Sequence, residues 1–217
     1  MSFYVEDTGG EREICPSGNH LARCYRIVDL GTQKKEFKGT IKFLHEITLY
    51  WEIHGTDDDG KPIKMNDGRP YGIFKNYTLS WASLANLRID LQAWRGKPFT
   101  EEELRRFDLK TILNAWCMLN VIQNKSANGN VYANIKGITP VPAMLRKAGM
   151  PTAVNAEEIF QLDTPNMEMF EKFHSKLKEK IMQSPEWQRL QGKTKTVDDI
   201  AKAPAKSFDE DDGDIPF

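Results

Sequence analysis

The amino-acid sequence predicts a mainly β protein with one helical insertion, a helical C-terminal extension and a disordered acidic tail. Three observations carry this. Apolar residues alternate with period two over residues 41–53. The period becomes helical over residues 84–94, and two further strands follow around Asn128-Gly129. Residues 207–217 hold five acids and no base.

Residues 1–17 read as a loose arm, punctuated by Gly9-Gly10 and Pro16. Residues 21–30 read as a first strand, stopped by Gly31, with a lysine-rich turn over 34–39. The second strand is the clearest. Ile41, Phe43, Ile47, Leu49, Trp51 and Ile53 share one parity, while Lys42, Glu46, Thr48, Tyr50, Glu52 and His54 share the other. That alternation predicts a strand with one face in the core and one in solvent. A polar loop containing Asp57-Asp58-Asp59-Gly60 ends it, and residues 71–79 form a third strand.

Leu84, Leu87, Leu91 and Trp94 then sit at helical spacing, with Ser80 or Ser83 as expected N-caps and Gly96 as the stop. Thr100 and Glu103 form a capping box for a short second helix. Strands over 115–124 and 131–139 follow. Three strands, a helix and two strands match a five-stranded OB-type barrel, with the helix between strands 3 and 4. The same count also fits a small α+β sandwich.

Beyond Pro142, residues 143–165 read as a mixed connector. Phe170, Phe173, Leu177 and Ile181 mark one amphipathic helix over 166–183. The expected organisation is an arm (1–17), a barrel (18–142), a helical extension (143–191), a flexible linker (192–206) and a tip (207–217).

The chain holds 30 Lys and Arg against 31 Asp and Glu. Without the five tail acids, residues 1–206 carry a formal +4. A mildly basic body with an acidic tail fits a polyanion binder. The acidic N-terminus has no apolar segment of the signal-peptide kind, and three cysteines suit a reducing compartment, so a cytoplasmic location is expected. No apolar run reaches membrane-spanning length.

No phosphate-binding loop, dinucleotide-binding glycine pattern or nucleophile elbow occurs. Cys15, His20 and Cys24 lack the fourth ligand and the spacing of a structural zinc site. A binding protein without cofactor or metal is therefore expected, rather than an enzyme. The tail reads as a recruiting element. Asp209, Glu210, Asp211, Asp212 and Asp214 keep it solvated, and Ile215, Pro216 and Phe217 suit an apolar pocket whose basic rim holds a carboxylate.

Residues 22–33, the strand around residues 45–53, the hairpin strand over 128–142 and the acidic tip together resemble bacteriophage-type single-stranded DNA-binding proteins. The resemblance covers roughly residues 18–142 plus the tip. It implies sequence-independent binding of single-stranded DNA during replication, recombination and repair, with partner proteins recruited through the tip. The extension over 143–191 departs from the simplest bacterial pattern and leaves oligomeric state open. Two rival readings are an adaptor or DNA mimic that binds only protein, and a metal-dependent nuclease.

Sequence-tolerant binding needs flat aromatic faces for bases and cations for phosphates. The candidates on outward parities or in loops are Arg23 and Tyr25, Lys42 and Tyr50, Tyr71, Phe74, Lys75 and Tyr77, and Tyr132 with Lys136. Trp51, Trp81 and Trp94 read as core. Trp116 stays between the two readings.

Overall fold

A computed structural model describes residues 13–192 apart from Lys38 and Asp58. Most of the expected arm and linker, and the whole tip, lie outside the described residues. Six strands form one sheet: β1 (Gly18–Phe37), β2 (Thr40–His54), β3 (Gly72–Thr78), β4 (Trp116–Lys125), β5 (Val131–Thr139) and β6 (Glu158–Phe160). The antiparallel path runs β3-β2-β1-β4-β5, and β6 adds to β1 in parallel.

The sheet is not closed into a barrel. Strands β3 and β5, the two ends of the path, lie beside each other without a ladder, and helix α1 (Asn86–Arg95) packs against both. The described chain is therefore mixed α/β, with several short helices around an antiparallel sheet.

β1 is twice as long as expected, because Gly31 does not end it. At φ +70° Gly31 takes a left-handed conformation that glycine adopts without strain, and the ladder to β2 shifts register there instead of breaking. A second shift lies between Cys24 and Arg26. The strand bends, so its first six residues pair with β4 while Arg26, Ile27 and Val28 pair with β6.

α1 keeps the expected buried face of Leu87, Leu91 and Trp94, and Gly96 closes it in the left-handed conformation. Its N-cap is Ala85, with no side-chain cap; Ser80 Oγ instead accepts from the Ala82 N–H. The Thr100–Glu103 capping box forms as read, at the start of α2 (Glu101–Arg105). A 3₁₀ turn over Leu109–Ile112 leads into β4.

The segment after β5 differs most from expectation. The connector contains α3 (Ala143–Ala148) and strand β6. The single expected helix is two, α4 (Met167–Lys172) and α5 (Ser175–Met182), because His174 interrupts it and caps α5 by accepting from the Lys176 N–H. A further helix, α6 (Pro185–Leu190), starts with Ser184 as N-cap and proline in its first turn.

Two cores result. The first, on the inner face, joins Ala22, Cys24, Leu49, Trp51, Cys117 and Leu119 to the buried face of α1. The second lies on the opposite face of β1 and β2, where Val28, Leu30 and Tyr50 meet Phe160, Phe170, Leu177, Ile181 and Trp187. β2 is consequently buried on both faces from Glu46 to Ile53 rather than half exposed. Each such side chain contributes about 1.5–3 kcal/mol on burial, so the C-terminal segment is an integral layer.

Polar fastenings at both ends help hold that layer. At one end, Glu186 Oε2 accepts from the Thr32 N–H at 2.9 Å, and its Oε1 accepts from Thr32 Oγ1 at 2.7 Å. At the other, the buried Glu52 carboxylate accepts from Arg23 Nε at 2.8 Å and from the N–H groups of Val154 and Asn155. Among the described residues, no helix is long and apolar enough to cross a membrane.

Candidate nucleic-acid interface

The structure scatters the candidate residues over several surfaces and both cores. Arg23 and Tyr25 lie on β1. Arg23 is sealed in, paired with Glu52, with its other nitrogens donating to Asn114 Oδ1 and to the Asn155 carbonyl. Tyr25 and Tyr50 do occupy the outward parity, but the C-terminal layer closes over them. They are 3% and 2% exposed, with ring centroids 6.3 Å apart. Burial pushes both hydroxyls well above the usual tyrosine range. Phe74 packs on Tyr50 at 5.5 Å. Tyr25, Tyr50 and Phe74 belong to the second core and its edge, which corrects their reading as outward base platforms, and Arg23 is committed to Glu52 rather than to a phosphate.

Tyr77 is in the first core and donates from its hydroxyl to Asp90 Oδ2 at 2.8 Å. Lys75 reaches the same carboxylate oxygen at 2.7 Å, so both are committed to the seam between β3 and α1. Tyr71 is half-buried against the first core. Lys42 is exposed near the β1–β2 turn, opposite Lys35. These residues are not brought together.

Tyr132 and Lys136 are the pair the fold leaves outward. Ala133 and Ile135 face the first core, so Tyr132 and Asn134 turn to the outer face of β5. The ladder passes from Asn120–Gly137 to Val121–Ile135, which makes exposed Lys136 the extra residue of a bulge. Beside them, Trp116, Met118, Asn120 and Ile122 of β4 alternate with buried Cys117, Leu119 and Val121. On β1, Asn19 and Leu21 extend the strip, opposite Asn120 and Met118. Asn120 Nδ2 donates to Asn19 Oδ1 at 2.9 Å. Among the described residues, no carboxylate belongs to this strip.

At Trp116 the strip meets a cleft of about 530 Å³. Phe99 and Phe107 stand edge-on at 4.9 Å in its lining, and Trp94 donates from its indole N–H to the Trp116 carbonyl at 2.9 Å. The Trp116 ring sits 5.0 Å from that of His54. Arg95 lies 4.3 Å over Phe99 and pairs with Glu103, whose carboxyl is held down at about 2 chiefly by that guanidinium. Arg146 of α3 also lines the cleft.

The chain matches no protein-family model and no curated protein. The site must therefore be judged on its own chemistry. Lys125, Lys136, Arg146 and Lys147 are exposed and carry no ion pair among the described residues. The strip combines outward aromatics and amides with the exposed Lys136.

Sequence reasoning did not settle Trp116. Its signal was strand parity, since Cys117 and Leu119 fix the inner face. The cleft was not legible, because Phe99, Phe107 and Arg146 come from separate elements. Cys15 and Cys24 are buried, and the His20 ring bonds the Pro16 carbonyl at 2.7 Å.

Proposed function

We propose that this protein binds single-stranded DNA without sequence preference, along the outer face of β4 and β5 and into the cleft beside Trp116. The carrying observation is the strip with Trp116 at one end, Tyr132 at the other and Lys136 between, which holds no carboxylate among the described residues. Tyr132 pairs with Asn124, so the two aromatics lie eight residues apart along β4, roughly 27 Å. That length suits several nucleotides, within the range of about 4–16 per OB fold. The strand order, with β3 beside β5 but unladdered, supports reading the sheet as a partly open OB-type barrel. The segments that resemble bacteriophage-type single-stranded DNA-binding proteins include β4's partner strand, which carries Tyr132 and Lys136.

The work proposed is binding only. Bases stack on Trp116 and Tyr132, while Lys125, Lys136, Arg146 and Lys147 meet phosphates. The tip at 209–217 recruits replication or recombination proteins, and the protein acts in the cytoplasm of a bacterial host.

Two substitutions test the face. Trp116→Ala should weaken oligo-dT binding by about 1–3 kcal/mol, the contribution of one stacked base, in anisotropy titrations of a labelled strand. Lys136→Ala should lower the slope of log affinity against log salt by about 0.7, the increment for one phosphate contact on a single strand. Unchanged affinity and unchanged slope would remove the strip from the interface.

A further inference from the structure

A second hollow, of about 270 Å³, lies on the same outer face of the sheet as the strip but further along it, where β1, β2 and the start of β3 meet the α4–α5 junction and the loop over residues 65–70. Its floor is apolar. Tyr25, Tyr50, Phe173 and Leu177, all nearly inaccessible, belong to the second core beneath it. Its lining carries three cations, Arg26, Arg69 and Lys172, beside the polar Asn155 and His174. Among the described residues, no carboxylate lines it.

The cations are supported from outside the hollow. Arg26 holds Glu158 through Nε, and its guanidinium rests 5.2 Å and 5.3 Å over the rings of Tyr25 and Tyr50. Its two terminal nitrogens have no partner among the described residues. Arg69 is oriented by Asp67 through Nε and one terminal nitrogen. Lys172 makes no ion pair among the described residues. Guanidinium groups fixed by a carboxylate on one edge, with donors left on the other, are arranged for phosphate oxygens.

We propose that this hollow binds a phosphomonoester of mononucleotide size, its phosphate held by Arg26, Arg69 and Lys172 and its organic body against the Tyr50–Phe173 floor. The volume lies close to the lower bound of about 300 Å³ for small-ligand pockets, more room than a bare phosphate uses. A phosphomonoester could come from a free nucleotide or from the phosphorylated end of a strand. The site is separate from the β4–β5 strip and does not depend on that strip binding DNA.

The test is isothermal titration calorimetry of the full chain at constant ionic strength, with dTMP, thymidine and inorganic phosphate. Saturable dTMP binding is expected, with thymidine and inorganic phosphate each at least tenfold weaker. The Arg69→Ala/Lys172→Ala double variant changes two rim residues outside both cores. It should lose at least tenfold in dTMP affinity while keeping the wild-type melting temperature and oligo-dT affinity. Competition with dTMP by 5′-phosphorylated oligo-dT, but not by the 5′-hydroxyl strand, assigns a strand end. Competition by neither assigns a free nucleotide. Competition by both strands would place dTMP in the strand groove and overturn the proposal. So would absent saturation, equal binding of thymidine or inorganic phosphate, or an unchanged double variant.

Discussion

Replacing Glu52 with alanine is expected to lower unfolding free energy by about 3–5 kcal/mol, because it strands a buried guanidinium. Arg23 and Glu52 have side-chain exposures of 2% and 0%. The same carboxylate takes the Val154 and Asn155 N–H groups and the Asn155 side chain, and contacts His54 Nε2 at 3.0 Å. Its loss therefore loosens the C-terminal layer as well as the sheet. Urea denaturation of Glu52→Ala measures the first effect, and limited proteolysis near residue 154 measures the second. A loss under 1 kcal/mol would show that the pair is not a structural hub. Burial pushes the Glu52 carboxyl up, but the bonds from His54, Arg23, Asn155 and Val154 outweigh it and hold the group well below the usual carboxylate range. The folded pKa is depressed. Glu52 thus contributes stability above the unfolded value of about 4.3, lost as pH falls toward the folded pKa.

Gly31→Ala should cost roughly 2–5 kcal/mol, combining about 1–2 for a left-handed non-glycine residue with about 1–3 for overpacking. An added Cβ would stand 2.6 Å from Ser184 Cβ and 2.7 Å from Leu162 Cδ1. Ser184 is fully buried and caps α6, so it has no room to retreat. Relief requires the C-terminal layer to lift from β1, which would also break the Glu186–Thr32 bonds. Denaturation should show the loss, and proteolysis should become fast between residues 160 and 190. Wild-type stability with unchanged proteolysis would mean that the layer tolerates displacement here.

The period-two and helical signals located β2, β3, α1, β4 and β5, because each buries a stripe set by local sequence spacing. The capping box at Thr100 was equally local. What escaped was the second core. Tyr25 and Tyr50 have the parity of outward residues, and sequence parity reports which face a side chain takes without saying what covers it. The cover comes from Phe160, Phe170 and Trp187, more than a hundred residues later in the chain. Strand β6 escaped because three residues carry no measurable period. Gly31 read as a strand end because a left-handed glycine marks both a terminus and a bulge. Of the candidate base contacts, Tyr132 and Lys136 kept the outward parity, since Ala133 and Ile135 fix the inner face of β5, and Trp116 joined them through the alternation of Cys117 and Leu119.

The most direct measurement is a tryptophan fluorescence titration with single-stranded oligo-dT and with a duplex of equal length, at low and high salt without divalent ions. Saturable binding of oligo-dT alone, weakening as salt rises, is the expected result. No binding to either strand form, or equal binding to the duplex, would contradict the proposal that the β4–β5 face holds single-stranded DNA.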